Sequence, residues 1–180
     1  MKRVSQNNPL AALIGLEKRV REVDNIDELH FLIVNETHNL ISYRQAVLFT
    51  EDGALLSISG VSNFESGAPF VHWVKDNISP IISDFVNPKQ LNGNDFVTHN
   101  TIEWAEWFPE KAYVLPLISP TRGHVGRLLL VRDYNWNDNE QEILSILAGA
   151  YGHALGFFIK PKRSRSILSK KNIVRFTVSC

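Results

Sequence analysis

From residue 10 to residue 23 apolar side chains recur at helical spacing, with Leu13, Leu16 and Val20 set among the charges of Glu17, Lys18, Arg19 and Arg21. This is the pattern of an amphipathic helix. So narrow a stripe suits a partner helix or the chain's own domain equally well. A second helix is predicted over residues 27–41, with Leu29, Leu32, Ile33 and Leu40 on one side and Asn25 placed as its cap. The period then shortens. Apolar runs at 46–49 and 55–58 flank Glu51-Asp52-Gly53 and read as a hairpin. Helical spacing returns at 69–77, where Pro69 suits a first turn and Phe70, Trp73 and Val74 share a face.

Residues 79–108 are irregular, holding Pro80, Pro88 and Gly93, and a short strand is expected around 96–98. Irregular stretches this long tend to be functional or mobile. Two strands follow at 113–118 and 125–131, joined by the turn-forming Ser119-Pro-Thr-Arg-Gly123. Residues 143–159 then run for 17 positions without a formal charge. That falls short of the ~20 apolar residues of a membrane span, and Ser145, Gly149, Gly152, His153 and Gly156 dilute it, so a buried helix is expected. Either Asn137 with Glu140 or Asp138 with Gln141 would cap its start.

Helices before and after hairpin-connected strands, without strand–helix alternation, predict an α+β fold. The expected sheet is antiparallel and five- to six-stranded, flanked by the N- and C-terminal helices packed on one face. The chain length of 180 residues suits one compact domain (26–159) preceded by a helical extension (1–25) and followed by a tail (160–180). Cys180 is the one cysteine, so no internal disulfide forms. The residues after Met1-Lys-Arg-Val lack the apolar core of a secretory signal, and a cytoplasmic protein is expected.

Charge changes this picture most. The formal net charge is zero, yet no acidic residue follows Glu142, while Lys160, Lys162, Arg163, Arg165, Lys170, Lys171 and Arg175 crowd the end. The first 159 residues carry −7 and the tail +7. A run of like charge suits an anionic surface, lipid or nucleic acid. Nucleic acid is the less favoured partner, because Phe176 is the single aromatic among these cations.

Four stretches, 35–49, 113–118, 123–131 and 140–158, resemble in their order the GAF domain, a small-molecule-binding and signalling module related to PAS. Within that family the chain is similar to the cytoplasmic GAF module ahead of the membrane anchor in some bacterial HlyD-like membrane-fusion adaptors. The resemblance implies a tail just inside the inner membrane, with residues 173–180 as the start of an anchoring helix. Cytoplasmic flanks of membrane helices are rich in Lys and Arg. It also implies a ligand pocket between the sheet and the inserted helices and loops, for which Trp73, Asp95, Trp104, Trp107 and Tyr113 are the candidates. A homodimer formed through the terminal helices is expected as well.

No cofactor or metal site is expected: the six histidines lack ligand spacing, and there is no Cys-x2-Cys. The cysteines of methionine sulfoxide-reducing and bilin-attaching GAF proteins, which the family resemblance brings up, have no counterpart in this sequence, and no Gly-x-Ser-x-Gly elbow is present. The cluster of Trp104, Trp107 and Phe108 with Glu103, Glu106 and Glu110 reads either as the wall of a ligand cavity or as a helical turn capping the sheet with its rings and leaving the acids in water. The leading functional expectation is a non-catalytic sensory module at a membrane. The alternatives are an enzyme of unknown chemistry on the same fold and a nucleic-acid-associated protein.

Overall fold

The computed structural model describes residues 8–96 and 101–160. Helix α1 (Pro9–Glu22) starts where Asn8 accepts a hydrogen bond from the Leu10 amide and Pro9 fills the first turn. In α2 (Ile26–Asn35) the Asn25 side chain accepts from the Glu28 amide at 2.8 Å, and Asp27 and Glu28 sit at the positive end of the helix dipole. A 3-10 turn, Glu36–Asn39, takes the place of the last part of the helix expected from the sequence. Strands β1 (Gln45–Thr50) and β2 (Leu55–Ile58) form the predicted hairpin, and Gly53 supplies a φ of 90° in its turn.

Helix α3 (Pro69–Asn77) lies where the sequence predicts it. The stretch read as irregular contains α4 (Ser79–Ile82), β3 (Lys89–Asn92), a 3-10 turn Gly93–Asp95 and α5 (Thr101–Trp107). The extra strand is Lys89–Asn92 rather than 96–98. Of β3 only Leu91 is buried, so its apolar signal is minimal, and pairing with β4 defines it. Phe96 instead ends the 3-10 turn, and residues 97 and 98 lie outside the described residues. Strands β4 (Lys111–Ser119) and β5 (Gly123–Arg132) lead into α6 (Asp138–Phe158), which is capped by the Asn137–Glu140 pair of the two options.

The sheet order is β2-β1-β5-β4-β3, with every pair antiparallel. Val47 lies opposite Leu129, and Val114 lies opposite that same Leu129 from the other side. Both faces of the central strands are apolar, so both need cover. Ala46, Leu48, Leu115, Leu128 and Leu130 pack with α1, α2 and α6, while Val47, Phe49, Val114, Leu129 and Val131 pack with α3, α4 and α5. The N- and C-terminal helices share one face as expected, and the short helices α3 to α5 cover the second face in addition.

Leu13, Leu16 and Val20 place α1 on its own domain, in one core with Leu29, Ile33, Leu144 and Tyr151. The apolar helix α6 is buried on one side, leaving Ile146 and Phe157 exposed on the other. Among the described residues no helix is long and apolar enough to cross a membrane.

Candidate functional site: an aromatic layer over the sheet

On the α3–α5 face the sheet is covered by rings. Helix α3 sends Trp73 down onto it, and α5 and its end send Trp104 and Phe108. The Trp73 ring stands edge-on to Trp104 at 6.0 Å and to Phe108 at 5.4 Å, and Trp107 leans beside it at 6.4 Å. Phe96 stacks on Trp104 at 5.1 Å, and Phe70 meets Phe108 edge-on at 5.5 Å. Such offset and edge-on pairs contribute roughly 0.5–1.5 kcal/mol each beyond the area they bury.

Glycine makes one of these contacts possible: a Cβ on Gly93 would lie 2.3 Å from the Trp104 ring. The Trp104 indole N–H donates to the Pro109 carbonyl at 2.7 Å. The Trp73 indole nitrogen is also buried, and among the described residues it has no hydrogen-bond partner.

Arg127 fastens the edge of this layer. It is 3% exposed on a strand of apolar residues, and Nε, Nη1 and Nη2 donate to the carbonyls of Phe85, Glu51 and Ser83 at 3.1, 2.6 and 2.8 Å. The β1–β2 turn and the segment after α4 are thus tied to β5. Burial lowers its pKa, opposed by the charges of Glu51 and Asp84.

The sequence candidates fall into three places. Trp73, Trp104 and Trp107 come together in the layer. Tyr113 lies on the opposite face of the sheet, packed against Trp136 at 5.5 Å, and burial there raises its pKa. Asp95 is exposed and accepts from the Asn92 amide at 2.8 Å, so it closes its own 3-10 turn. Trp104 and Phe108 are buried while Glu106 and Glu110 are exposed, which matches the turn that caps the sheet with its rings. Of the basic candidates, Lys160 is exposed just beyond α6, and Lys162, Arg163, Arg165, Lys170, Lys171 and Arg175 lie outside the described residues.

A cleft of about 510 Å³ opens against Trp107 and Phe108, bounded by Pro109, Glu106 and the exposed Arg44–Asp133 pair, whose charged atoms are 3.6 Å apart. A more apolar groove of about 520 Å³ runs between the C-terminal ends of α1 and α6, lined by Val20, Val23, Ala150, Ala154, Phe157 and Phe158. Sequence reasoning missed Phe70, Phe96 and Arg127. An arginine in the middle of an apolar strand was the signal available for the last.

The strongly shifted groups lie on the helix-covered face. Burial raises the Tyr43 and Tyr151 phenols far above their ordinary range. Tyr43 donates to the Val34 carbonyl, and Tyr151 meets the Thr37 hydroxyl at 2.6 Å. Among the described residues no three His, Cys, Asp or Glu side chains cluster as metal ligands.

No family model matches the chain, and no curated protein does. Solved structures match it in fold. The GAF domain of a Coxiella burnetii phosphoenolpyruvate-protein phosphotransferase is 15% identical with a TM-score of 0.58, over 83% of this chain and 94% of that one. Its Acinetobacter counterpart is 12% identical with a TM-score of 0.59, over 84% and 95%. The phycoerythrobilin-bound GAF domain of a cyanobacterial phytochrome is 12% identical with a TM-score of 0.55, over 82% and 94%. The chain has the GAF fold.

Proposed function

We propose that this GAF-fold chain is a non-catalytic sensory module that binds a small molecule in the aromatic layer and dimerises through α1 and α6. The observation that carries the reading is the difference between the two faces of the sheet. One face is sealed by α1, α2 and α6 around a mostly aliphatic core into which Tyr43, Tyr113, Trp136 and Tyr151 are set. The other is covered by short helices and turns whose aromatic rings pack on one another around Trp73, whose indole nitrogen is buried without a partner among the described residues, as that of Trp136 is on the first face. Rings of this kind offer contact area to a ligand, and the short elements over them can shift without breaking the helical core.

The strand β5 belongs to both faces. Arg127 reaches the ligand-side cover and Arg132 reaches the start of α6, so a change on one side has a route to the other. A ligand shifts the packing of α1 and α6 by its difference in affinity for the two arrangements. The non-catalytic reading is supported by where Tyr43 and Tyr151 sit, since each is hydrogen-bonded to a structural partner away from the aromatic layer.

The finer setting is the cytoplasmic face of a membrane-associated protein of the HlyD-like adaptor kind. It is supported by the seven cations that follow α6, each contributing about 1 kcal/mol near an anionic surface. Native mass spectrometry of the purified chain tests the core of the proposal. A dimer carrying extra mass is the expected result. A monomer without retained mass, whose melting temperature no small molecule raises, would overturn it.

A further inference from the structure

We infer that the ligand of the aromatic layer is an uncharged, largely aromatic molecule bearing one hydrogen-bond acceptor, and that the Trp73 indole N–H is the donor that meets it. This rests on the sensory reading above and names the chemistry of its ligand. Trp73 is 7% exposed, and its nitrogen is buried without a partner, whereas the Trp104 nitrogen in the same layer is satisfied by Pro109 at 2.7 Å. A buried donor left unmade is unfavourable, and an acceptor on a ligand removes that deficit. Among the described residues the Ser79 hydroxyl, on α4, is the other buried side-chain polar atom of this cover without a partner, and it is not on a ring of the layer.

The charge of the ligand follows from the same inventory. Among the described residues the buried side chains over this face are aliphatic or aromatic, apart from Arg127, and each of the three Arg127 nitrogens already donates to a main-chain carbonyl. Among the described residues an anion would find no uncommitted buried cation there, and in the cleft it would meet the exposed carboxylate of Glu106 and an Arg44 already paired with Asp133. Among the described residues no carboxylate is buried, so a cation would find no counter-charge in the layer. Moving an unpaired ion into such surroundings is strongly unfavourable.

Shape gives the rest. Trp107 is 37% exposed, its ring lies 6.4 Å from that of Trp73, and it forms one wall of the cleft of about 510 Å³. A bicyclic aromatic molecule entering from that cleft can take over the contact Trp107 makes with Trp73, replacing one ring by another of similar area.

Four probes of nearly one shape test this: quinoline, which is neutral with a ring-nitrogen acceptor; naphthalene, which lacks the acceptor; N-methylquinolinium, which is cationic with the acceptor blocked; and 2-naphthoate, which is anionic. Binding is read by tryptophan fluorescence and thermal shift. Quinoline should bind about tenfold more tightly than naphthalene, the worth of one satisfied buried donor, and both ions more weakly still. In Trp73→Phe the preference of quinoline over naphthalene should vanish. Should that variant fail to fold, the indole N–H resonances of the unmutated protein supply the readout, with the Trp73 signal moving downfield on addition of quinoline and not of naphthalene. Equal affinity for quinoline and naphthalene, or tighter binding of either ion at this layer, overturns the ligand class and leaves the sensory reading standing. Absence of binding by all four, in protein that also carries no retained mass, overturns both.

Discussion

Arg132, the last residue of β5, holds both carboxylate oxygens of Glu140 in the first turn of α6, with N–O distances of 2.9 and 2.6 Å. Its other hydrogen bonds go to the carbonyls of Ser42, Tyr134 and Asn135, and the rings of Tyr134 and Trp136 lie 4.1 and 4.3 Å from the guanidinium. One of the Glu140 oxygens also accepts from the Asn137 amide. A single carboxylate therefore caps a helix and neutralises a buried cation. The end of the sheet and the start of the helix cannot separate without exposing both.

The hydrogen bonds from Arg132 are the largest influence on the Glu140 carboxyl, and they hold it below the usual carboxylate range against the opposing effect of burial. A carboxylate depressed in the folded state gives its full stabilisation above the unfolded value of about 4.3, and loses it as pH falls through the lower folded value. The melting temperature should fall in that acid window. Glu140→Gln should cost about 1–3 kcal/mol at neutral pH by leaving Arg132 without its counter-charge, and should flatten the acid dependence. Calorimetry from neutral pH to about pH 3 reads both effects. Identical acid slopes in the two proteins would contradict the linkage.

Two glycines of α6 should respond to alanine in opposite directions. A Cβ at Gly152 would stand 2.2 Å from the Ile118 carbonyl oxygen, so the helix rests directly on the β4 backbone there. Gly149 has nothing within 4 Å of its Cβ position. Gly149→Ala should stabilise by up to about 1 kcal/mol through helix propensity. Gly152→Ala should destabilise by about 2 kcal/mol or more, because backbone rather than a flexible side chain must move. Urea unfolding of both variants checks the pair, and a neutral Gly152→Ala would mean that α6 shifts freely on the sheet.

The long elements were legible in the sequence because burial there follows local period. Asn25 announced one helix start and Asn137 was one of two caps offered for another, while the apolar run from Leu128 to Val131 marked a strand whose two-sided cover only the structure shows. What the sequence concealed depends on contacts between distant segments. Strand β3 exists because Lys89 to Asn92 pair with β4, and its one buried side chain left almost no pattern to find. The candidate site was half visible. Trp73, Trp104 and Trp107 converge, whereas Tyr113 points to the other face because its parity on β4 is that of Leu115 and Leu117. That parity could be read only once the faces were assigned to their covering helices. Asp95 looked available as a free carboxylate and is engaged by a main-chain amide three residues earlier in the chain.

Arg127 offers a test of what holds the α3–α5 cover in place. Methionine keeps much of its length but removes the donors to Ser83, Phe85 and Glu51, leaving three carbonyls to find water or go unpaired. Arg127→Met should cost about 2–4 kcal/mol. It should also open the segment around residues 83–87 to limited proteolysis before the rest of the domain. Lysine should not restore it, because one ammonium cannot span the three acceptors that the planar fork meets. Simultaneous loss of protection across the helix-covered core would show that the effect is global instead.

In the dimer proposed above, the contact surface is the part of α1 and α6 that the fold leaves uncovered. Leu10 and Ile14 are 61% and 54% exposed on α1, and Ile146 and Phe157 are 43% and 83% exposed on α6. Positions 146, 150, 153 and 157 follow one side of a helix, and the groove beside them is lined by Val20, Val23 and Phe158. An exposed phenylalanine at the rim of such a groove is a natural anchor for a second copy. Phe157→Ser should weaken self-association by at least about tenfold, since a buried aromatic contributes well over 1.4 kcal/mol at an interface. The thermal stability of the isolated monomer should stay within about 0.5 kcal/mol, because the side chain is already in water there. Sedimentation equilibrium across a range of concentrations measures the first and dilute-solution melting the second. An unchanged association constant would place the contact surface elsewhere, and a monomeric parent protein would remove the dimer from the proposal.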